Sequence, residues 1–473
     1  MNSITINDQR VFYLDFINPY LVKDLFFHER ILFSFNSKLK YKSSRGYINI
    51  NPELRKEYNI YNENIVVLRI KYKNDIIQLI SKIYKSGKIY IPLEILKHFS
   101  LKDSTTFFCD IINNEPVDNK KLGPNYLDLT KILSDLKIIL RYNNFITLYK
   151  KEKIAITIPR YIQITPSLIE FFYLIHGDGH YKYKFYFVNK QKELHEFILN
   201  EFERVFYISR EMFRAKLIVS NLNNYEELIN YWCKDLNLTN NQFYRPSISK
   251  FNVCETGNLR IIIDKTIFSI IFQNLFEKIK TISLTNQSFY ALNGLLAAEG
   301  GAEVVQNKGL HKITLSFNIK EKNMFELIIL DLGLNYKIQK NNSFVISSWL
   351  DLVYFMNIYL QKDIIPMDLH PLRKRNLFLG FNNHRFTQTL KKYLFPIQNL
   401  SPITLKQYSP ILNIREDSIL RIVNNKKYVK YFIIQGNGKN RDPFRISISP
   451  EGLNFLTLIS KVENIIKNDI AKN

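Results

Sequence analysis

Phe171-Phe-Tyr-Leu-Ile-His176-Gly177-Asp178-Gly179 and Leu292-Asn-Gly294-Leu-Leu-Ala297-Ala298-Glu299-Gly300 share one pattern: an apolar run closing on a small residue, an acid and a glycine. Thr165-Pro166 sits upstream of the first, an N-cap side chain followed by a proline whose missing N–H costs nothing, so a helix is predicted from there. Small residues let two helix backbones approach closely, and glycine ends a helix cheaply in the left-handed conformation. An acid at the C-terminal end opposes the helix dipole. One in each helix brings two carboxylates together, a costly arrangement that bound divalent cations relieve. Hard oxygen ligands suit Mg²⁺, and Mn²⁺ accepts the same donors. Asp178 and Glu299 are therefore the candidate metal ligands and catalytic residues.

Downstream of Glu299, Ala302 to Gln306, an Asn307-Lys-Gly309 turn and Leu310 to Ile319 read as strand, turn, strand. In the second strand Lys312, Thr314, Ser316 and Asn318 share one face, and Ile313, Leu315, Phe317 and Ile319 the other. A helix from Glu321 to Leu332 follows, then a hairpin of Tyr336 to Lys340 with Ser343 to Ser347. Ser348-Trp-Leu-Asp351 opens a last helix with capping-box spacing, giving the order αββαββα. The stretch after Asp178 is less regular. Tyr181 to Val188 reads as a strand with Lys182, Lys184 and Tyr186 on one side, followed by a helix from Gln191 to Phe206. Next come Phe213 to Ser220 with Arg214 and Lys216, a helix near Tyr225 to Leu236, Leu259 to Asp264, and a helix ending at Lys278 and Lys280. The pattern alone does not assign its hairpins.

Both acid-ending helices resemble the LAGLIDADG signature, and their spacing resembles a homing endonuclease carrying two half-domains in one chain. The resemblance implies an α+β fold of tandem αββαββα half-saddles, at 165–284 and 285–370, with a monomer completed by internal pseudo-twofold symmetry. It implies double-stranded DNA as partner, with the polar face of each sheet along the major groove. Lys182, Lys184, Arg214, Lys216, Lys312, Asn318, Lys337, Gln339 and Lys340 are then the expected contacts. Family members use a lysine from the end of each half at the phosphate, and Lys278 or Lys280 and Lys362 match by position. Two departures stand out. Tyr173 replaces the signature's first glycine and is expected to loosen the helix packing, and His176 stands where an aspartate is commoner. His176-Gly-Asp178-Gly-His180 can also be read as a metal cluster by itself, although in a helix His176 and Asp178 occupy different faces.

Near the N-terminus the sequence repeats without gaps at an offset of 41 residues: Gly46-Tyr-Ile48-Asn-Ile50-Asn-Pro-Glu53-Leu54 lies over Gly87-Lys-Ile89-Tyr-Ile91-Pro-Leu-Glu94-Ile95. Each unit reads as a strand, a helical turn carrying the glutamate, and a second strand. Neither can bury its apolar face alone, so the two must interlock, predicted as a small barrel. The pattern resembles the AbrB-like swapped-hairpin DNA binders, with both halves fused within 1–112. A polar, turn-rich stretch from Asn113 to Pro124 opens a linker and lead-in over 113–164, where a short helix around Leu127 to Leu140 is expected.

In the last segment, 371–473, a short helix after Ser401-Pro-Ile-Thr404 precedes Arg415 to Val423, strand Tyr428 to Ile434, a Gly436-Asn-Gly438-Lys439-Asn-Arg441 turn, strand Phe444 to Ile448 and a closing helix. This order resembles a winged helix-turn-helix, which would place Arg415 and Arg421 in the major groove and Lys439 and Arg441 at the wing.

Composition bounds these readings. Among 473 residues the net charge is +23, which points to a polyanionic partner, though an AT-rich genome also enriches lysine, so the charge alone decides nothing. Abundant Phe, Tyr and Ile exclude disorder. Cys109, Cys233 and Cys254 share no metal-ligand spacing and point to a reducing compartment. Neither a signal peptide nor an apolar run long enough for a membrane helix is read, so a cytoplasmic, nucleoid-associated location or a DNA-bearing organelle is expected. The function expected is metal-dependent cleavage of double-stranded DNA. Two alternatives are a transcription regulator derived from such a nuclease, as in bacterial sporulation regulators that join a similar body to a helix-turn-helix, and an intron RNA maturase. Regulators of that kind tend to lose the terminal acids, which are both present here.

Overall fold

The computed structural model describes residues 2–13, 22–23, 26, 31–42, 45–62, 64–112, 125–133, 139–141, 144–150, 153–249, 253–264, 266–361, 371–439 and 441–472. The fold is α+β. Two compact units divide it: Met1–Leu168 with Gly179–Ile279, and Ile169–Asp178 with Lys280–Asn473.

At the start of the first unit lie β1 (Asn2–Ile6), β2 (Gln9–Tyr13), β3 (Ile31–Lys38), β4 (Lys40–Lys42), β5 (Arg45–Asn49), α1 (Pro52–Glu57), β6 (Ile65–Tyr72), β7 (Asp75–Lys82), β8 (Lys88–Tyr90), α2 (Leu93–His98) and β9 (Thr106–Ile112). The repeat read from sequence is written into the pairing. Ile48 of β5 lies opposite Ile89 of β8, and Arg69 of β6 opposite Asp110 of β9, so residues equivalent in the two halves face each other. β3 pairs with β9 and β7 with β6, so the opening strand of each half lies against the closing strand of the other. Arg69 and Asp110 are buried at this centre, where Asp110 accepts from Ser34 at 2.6 Å and meets Lys71 at 3.1 Å.

No barrel closes among the described residues. The strands form an open six-stranded sheet, β1-β2-β7-β6-β9-β3, and a three-stranded sheet, β4-β5-β8. At one edge β2 pairs in parallel with the start of β7, so that side of the sheet continues into β2 and β1 instead of meeting β3. Among the described residues of the lead-in, the expected short helix covers Leu129–Ile132, and Tyr126–Asp128 and Ile139–Arg141 are strands. Residues 113–124 and 134–138 lie outside the described residues.

The next elements are α3 (Pro166–Asp178), β10 (Gly179–His180), β11 (Phe185–Asn189), α4 (Lys192–Phe206), β12 (Arg214–Val219), α5 (Tyr225–Leu236), β13 (Ser247–Ile248), β14 (Asn258–Ile263) and α6 (Thr266–Asn286). They are followed by α7 (Ser288–Glu299), β15 (Gly300–Val305), β16 (Gly309–Ser316), α8 (Lys322–Asp331), β17 (Lys337–Gln339), β18 (Ser343–Ile346) and α9 (Trp349–Gln361). The sheet after α3 runs β10-β11-β14-β12-β13, and the sheet after α7 runs β15-β16-β18-β17. Leaving β13 aside, both place their strands in the order first, second, fourth, third. α4 buries Leu194, Ile198, Leu199, Phe202 and Phe206 along one stripe, and Phe202 meets Phe185 edge-on at 5.1 Å. Truncating Phe202 to alanine would cost roughly 3–5 kcal/mol.

Several boundaries differ from the sequence reading. The expected strand from Tyr181 is interrupted, because residues 182–184 form a bend between β10 and β11. The helix expected to end at Lys278 and Lys280 continues to Asn286. β16 stops at Ser316, and Ile319, expected on the apolar face, is instead 73% exposed in a single 3-10 turn before α8.

The last elements are α10 (Pro371–Asn382), α11 (Arg385–Leu394), β19 (Ile403–Thr404), α12 (Leu405–Leu412), α13 (Glu416–Val423), β20 (Phe432–Gln435), β21 (Arg445–Ile448) and α14 (Pro450–Lys472). Thr404 caps α12 through a capping box with Gln407, and β19 adds to the β20–β21 ribbon. α14 packs on α10 and α9, and Trp349 of α9 lies among His384, Phe381 and Phe455, which seats this segment on the acid-bearing part of its own unit. Among the described residues no helix is long and apolar enough to cross a membrane.

Candidate active site

α3 begins as the sequence predicts, with Thr165 Oγ1 accepting from the Leu168 amide at 3.2 Å. Residues 169–178 of α3 pack against α7 within the second unit. Two glycines set how close they come. A methyl group placed on Gly177 would lie 2.4 Å from Ala298 Cβ and 3.3 Å from Glu299 Cγ. One on Gly294 would lie 2.5 Å from the Glu170 carbonyl oxygen and 2.9 Å from Tyr173 Cβ. The backbones are thus in near contact at both levels, and the helices end together on Asp178 and Glu299, each half-buried.

Tyr173 does not loosen this packing. It is fully buried, its hydroxyl exchanges a 2.8 Å hydrogen bond with Ser283, and Gly294 on the partner helix leaves the room its Cβ needs. Nor is Gly300 left-handed, as the sequence reading supposed; its φ of −83° is extended. Glycine is required there by space, since a methyl group would lie 2.4 Å from the Leu296 carbonyl oxygen. His176 and His180 do not join Asp178 in a cluster. His176 Nε2 lies 3.3 Å from Glu321 Oε1, and the His180 ring stacks on Tyr186 at 4.9 Å. Among the described residues no three His, Cys, Asp or Glu side chains are grouped to hold a metal ion. The donor set that fits a hard cation is the carboxylate pair.

The sheet faces carry most of the other candidates. Register places Tyr186, Arg214, Lys216 and Arg260 on one face of the first unit's sheet, opposite the buried Phe185, Phe187, Ile261 and Leu217. Lys216 sits directly across from Arg260, a like-charge pair that favours an anion over that face. Arg260 was missed by the sequence reading, although its place in Asn258-Leu-Arg-Ile shows the alternation. Asp264 restrains two of the cations: Lys184 Nζ lies 2.5 Å from its Oδ1 and Arg214 Nε 3.3 Å from its Oδ2. Tyr244, from the long connection, bonds both Arg214 and Asp264. Burial pushes the Asp264 carboxyl up, but hydrogen bonds from Lys184 and Tyr244 outweigh it and hold it below the ordinary carboxylate range.

In the second unit Lys312, Thr314, Lys337 and Gln339 share a face, and Lys312 pairs with Glu303 at 2.8 Å. Asn318 lies past the strand, where its side chain caps the following turn by accepting from the Lys320 amide, so it is not a face residue. Lys340 lies in the hairpin turn. Lys182 and Lys184 lie in the bend, not on a strand, and Lys278 and Lys280 stand within α6, not at its end. Lys362 lies outside the described residues. Arg415 is the N-cap of α13 and Arg421 is in its last turn, while Lys439 and Arg441 sit at the ribbon tip, all exposed.

No family model and no curated protein matches the chain. Among solved structures it is similar to the solution structure of PHS018 from Pyrococcus horikoshii, at 19% identity over 17% of this chain and 90% of that one, with a TM-score of 0.16.

Proposed function

We propose that the chain is a site-specific, metal-dependent endonuclease of the LAGLIDADG homing type acting on double-stranded DNA. The observation that carries the reading is the α3–α7 contact, in which Gly177 against Ala298 leaves two helices ending side by side on Asp178 and Glu299. Acids at helix C-termini are electrostatically costly, and the repulsion between two set side by side is relieved by a bound cation. Asp178 and Glu299 would hold Mg²⁺ or Mn²⁺, which supplies an activated water and charge stabilisation at the leaving oxygen. The shared strand order after each acid supports a reading of two αββαββα half-saddles, and the basic face of Arg214, Lys216 and Arg260 suits the phosphates and base edges of a major groove. We read the interlocked N-terminal repeat as an AbrB-like module and the α12–α14 segment as a winged helix, each extending the grip on DNA. Incubation with a genomic fragment library in Mg²⁺ tests the whole: discrete staggered breaks are expected, and binding without breaks would favour the regulator instead.

A further inference from the structure

We propose that the buried hydrogen bond between Glu170 and Asn293 is a positioning device that fixes the register of α3 against α7 and so keeps Asp178 and Glu299 level. The inference rests on the acid-pair reading above. Asn293 Nδ2 donates to Glu170 Oε1 at 2.7 Å, and the two residues are only 2% and 1% exposed. A carboxyl and an amide this deep between two helices need a reason, because apolar residues of the same size would pack there without the cost of stripping water from polar groups.

That reason is found in the rest of α7. From Ser288 to Leu295 every residue is buried, so beyond the close fit at Gly177 and Gly294 most of what the helix offers is apolar contact, which discriminates weakly between small axial shifts. Apolar contact is non-directional. A one-turn slip of about 5.4 Å would move Tyr173 off Gly294 and carry one acid away from the other by the same distance. The buried polar pair reinforces that fit with a directional contact, since any other register leaves its desolvated groups mismatched.

The pair also selects which helices meet. Aligning Asp178 with Glu299 sets Glu170 level with Ala291 and Asn293 level with Phe172, so the arrangement is not self-complementary. Two copies of α3 would place Glu170 against Phe172, whereas α3 with α7 gives carboxyl against amide and Tyr173 against Gly294. Glu170 and Asn293 act through the helices and not on the substrate.

The test compares the full-length chain with the apolar double variant Glu170→Met, Asn293→Leu and with Glu170→Gln, which keeps an oxygen for the Asn293 amide. Thermal unfolding, Mn²⁺ affinity by electron paramagnetic resonance on DNA-bound protein, and cutting rate at saturating DNA are measured together. The double variant should melt no lower than wild type, because its core gains apolar packing. Its cutting rate should nonetheless fall by about 10- to 100-fold with DNA affinity unchanged, and Mn²⁺ affinity should fall with it. Glu170→Gln should keep both. Should the double variant not fold, Asn293→Ala against Glu170→Gln makes the same comparison, with loss expected in the first only. Wild-type cutting and Mn²⁺ affinity in the variants that remove the hydrogen bond would overturn the positioning role alone. A wild-type chain that neither binds Mn²⁺ nor cuts would overturn the acid-pair reading, and this inference with it.

Discussion

The stretch after Asp178 and the stretch after Glu299 thread four strands in the same order, yet they differ in what joins the third to the fourth. After Glu299 the connection is a turn through Asn342, stabilised by its amide bonding the Gln339 carbonyl. After Asp178 it is a long excursion carrying α5 and β13, which returns Tyr244 to the sheet. The common part positions the acids and the helices that bury the sheets. The strands themselves carry different numbers of cations, and the divergent part adds Tyr244, which bonds Arg214 and Asp264. Catalysis is thus expected to be shared equally between the two, and recognition unequally.

Equal sharing is the claim with the largest consequence. Asp178→Asn and Glu299→Gln each remove one carboxylate, and in either variant single-turnover cutting should fall by about 1000-fold or more, the scale of losing a group that stabilises transition-state charge. DNA affinity should hold or rise, since a negative charge leaves the neighbourhood of the phosphates. If one variant cuts at the wild-type rate, that stretch serves as scaffold only.

How much of this was legible in the sequence follows the same division. The stretch after Glu299 alternates cleanly, and its Asn307-Lys-Gly309 turn marks the hairpin, so local pattern was enough. After Asp178 the first strand is only two residues long and the third and fourth are separated by the excursion, so the pairing rests on contacts far apart in the chain. The acids were legible because small residues and glycine frame them. The Glu170–Asn293 bond was not, since neither helix shows which of its polar residues faces the other. Tyr173 misled for a related reason: its fit depends on Gly294, a compensation visible only when both helices are seen together.

Acid should destabilise the first unit through one buried histidine. His195 is completely buried, its ring between Phe187 and Trp232 and its Nε2 donating to the Asn189 carbonyl at 3.1 Å. Burial pulls it from the ordinary 6.5 down to about 4. Its folded value lies below its unfolded one, so the stability it permits is complete above pH 6.5 and is lost as pH falls toward 4, by about 3 kcal/mol. Urea unfolding followed through Trp232 in a Trp349→Phe background should show this loss, and His195→Gln should flatten it.

Close packing gives a smaller, graded effect. Gly294→Ala and Gly177→Ala should each cost about 1–3 kcal/mol in thermal unfolding, because the Glu170 carbonyl oxygen and the Ala298 Cβ they meet are both fixed to backbone. Gly301→Ala is the control. Its nearest neighbour is the Thr314 hydroxyl at 3.1 Å, which can rotate away, and its melting temperature should barely move.

The smallest effect tests the unequal sharing of recognition. Asp264 restrains both Lys184 and Arg214, whereas Glu303 pairs with Lys312. These carboxylates occupy cations that a phosphate would otherwise take, and surface pairs of this kind are worth at most about 1 kcal/mol, so DNA can displace them. Neutralising a restraint should therefore strengthen DNA binding by a modest factor, roughly two- to fivefold. The salt dependence is more telling than the affinity. Each additional phosphate neutralised steepens the log–log slope by ~0.9, so Asp264→Asn should steepen it by up to twice that, and Glu303→Gln by one increment. Arg214→Ala separates the two ways this could fail. If it weakens binding while Asp264→Asn changes nothing, the face grips DNA but Asp264 does not compete with it. If Arg214→Ala has no effect, the face after Asp178 is not a DNA contact, and the asymmetry between the two sheets belongs to folding alone.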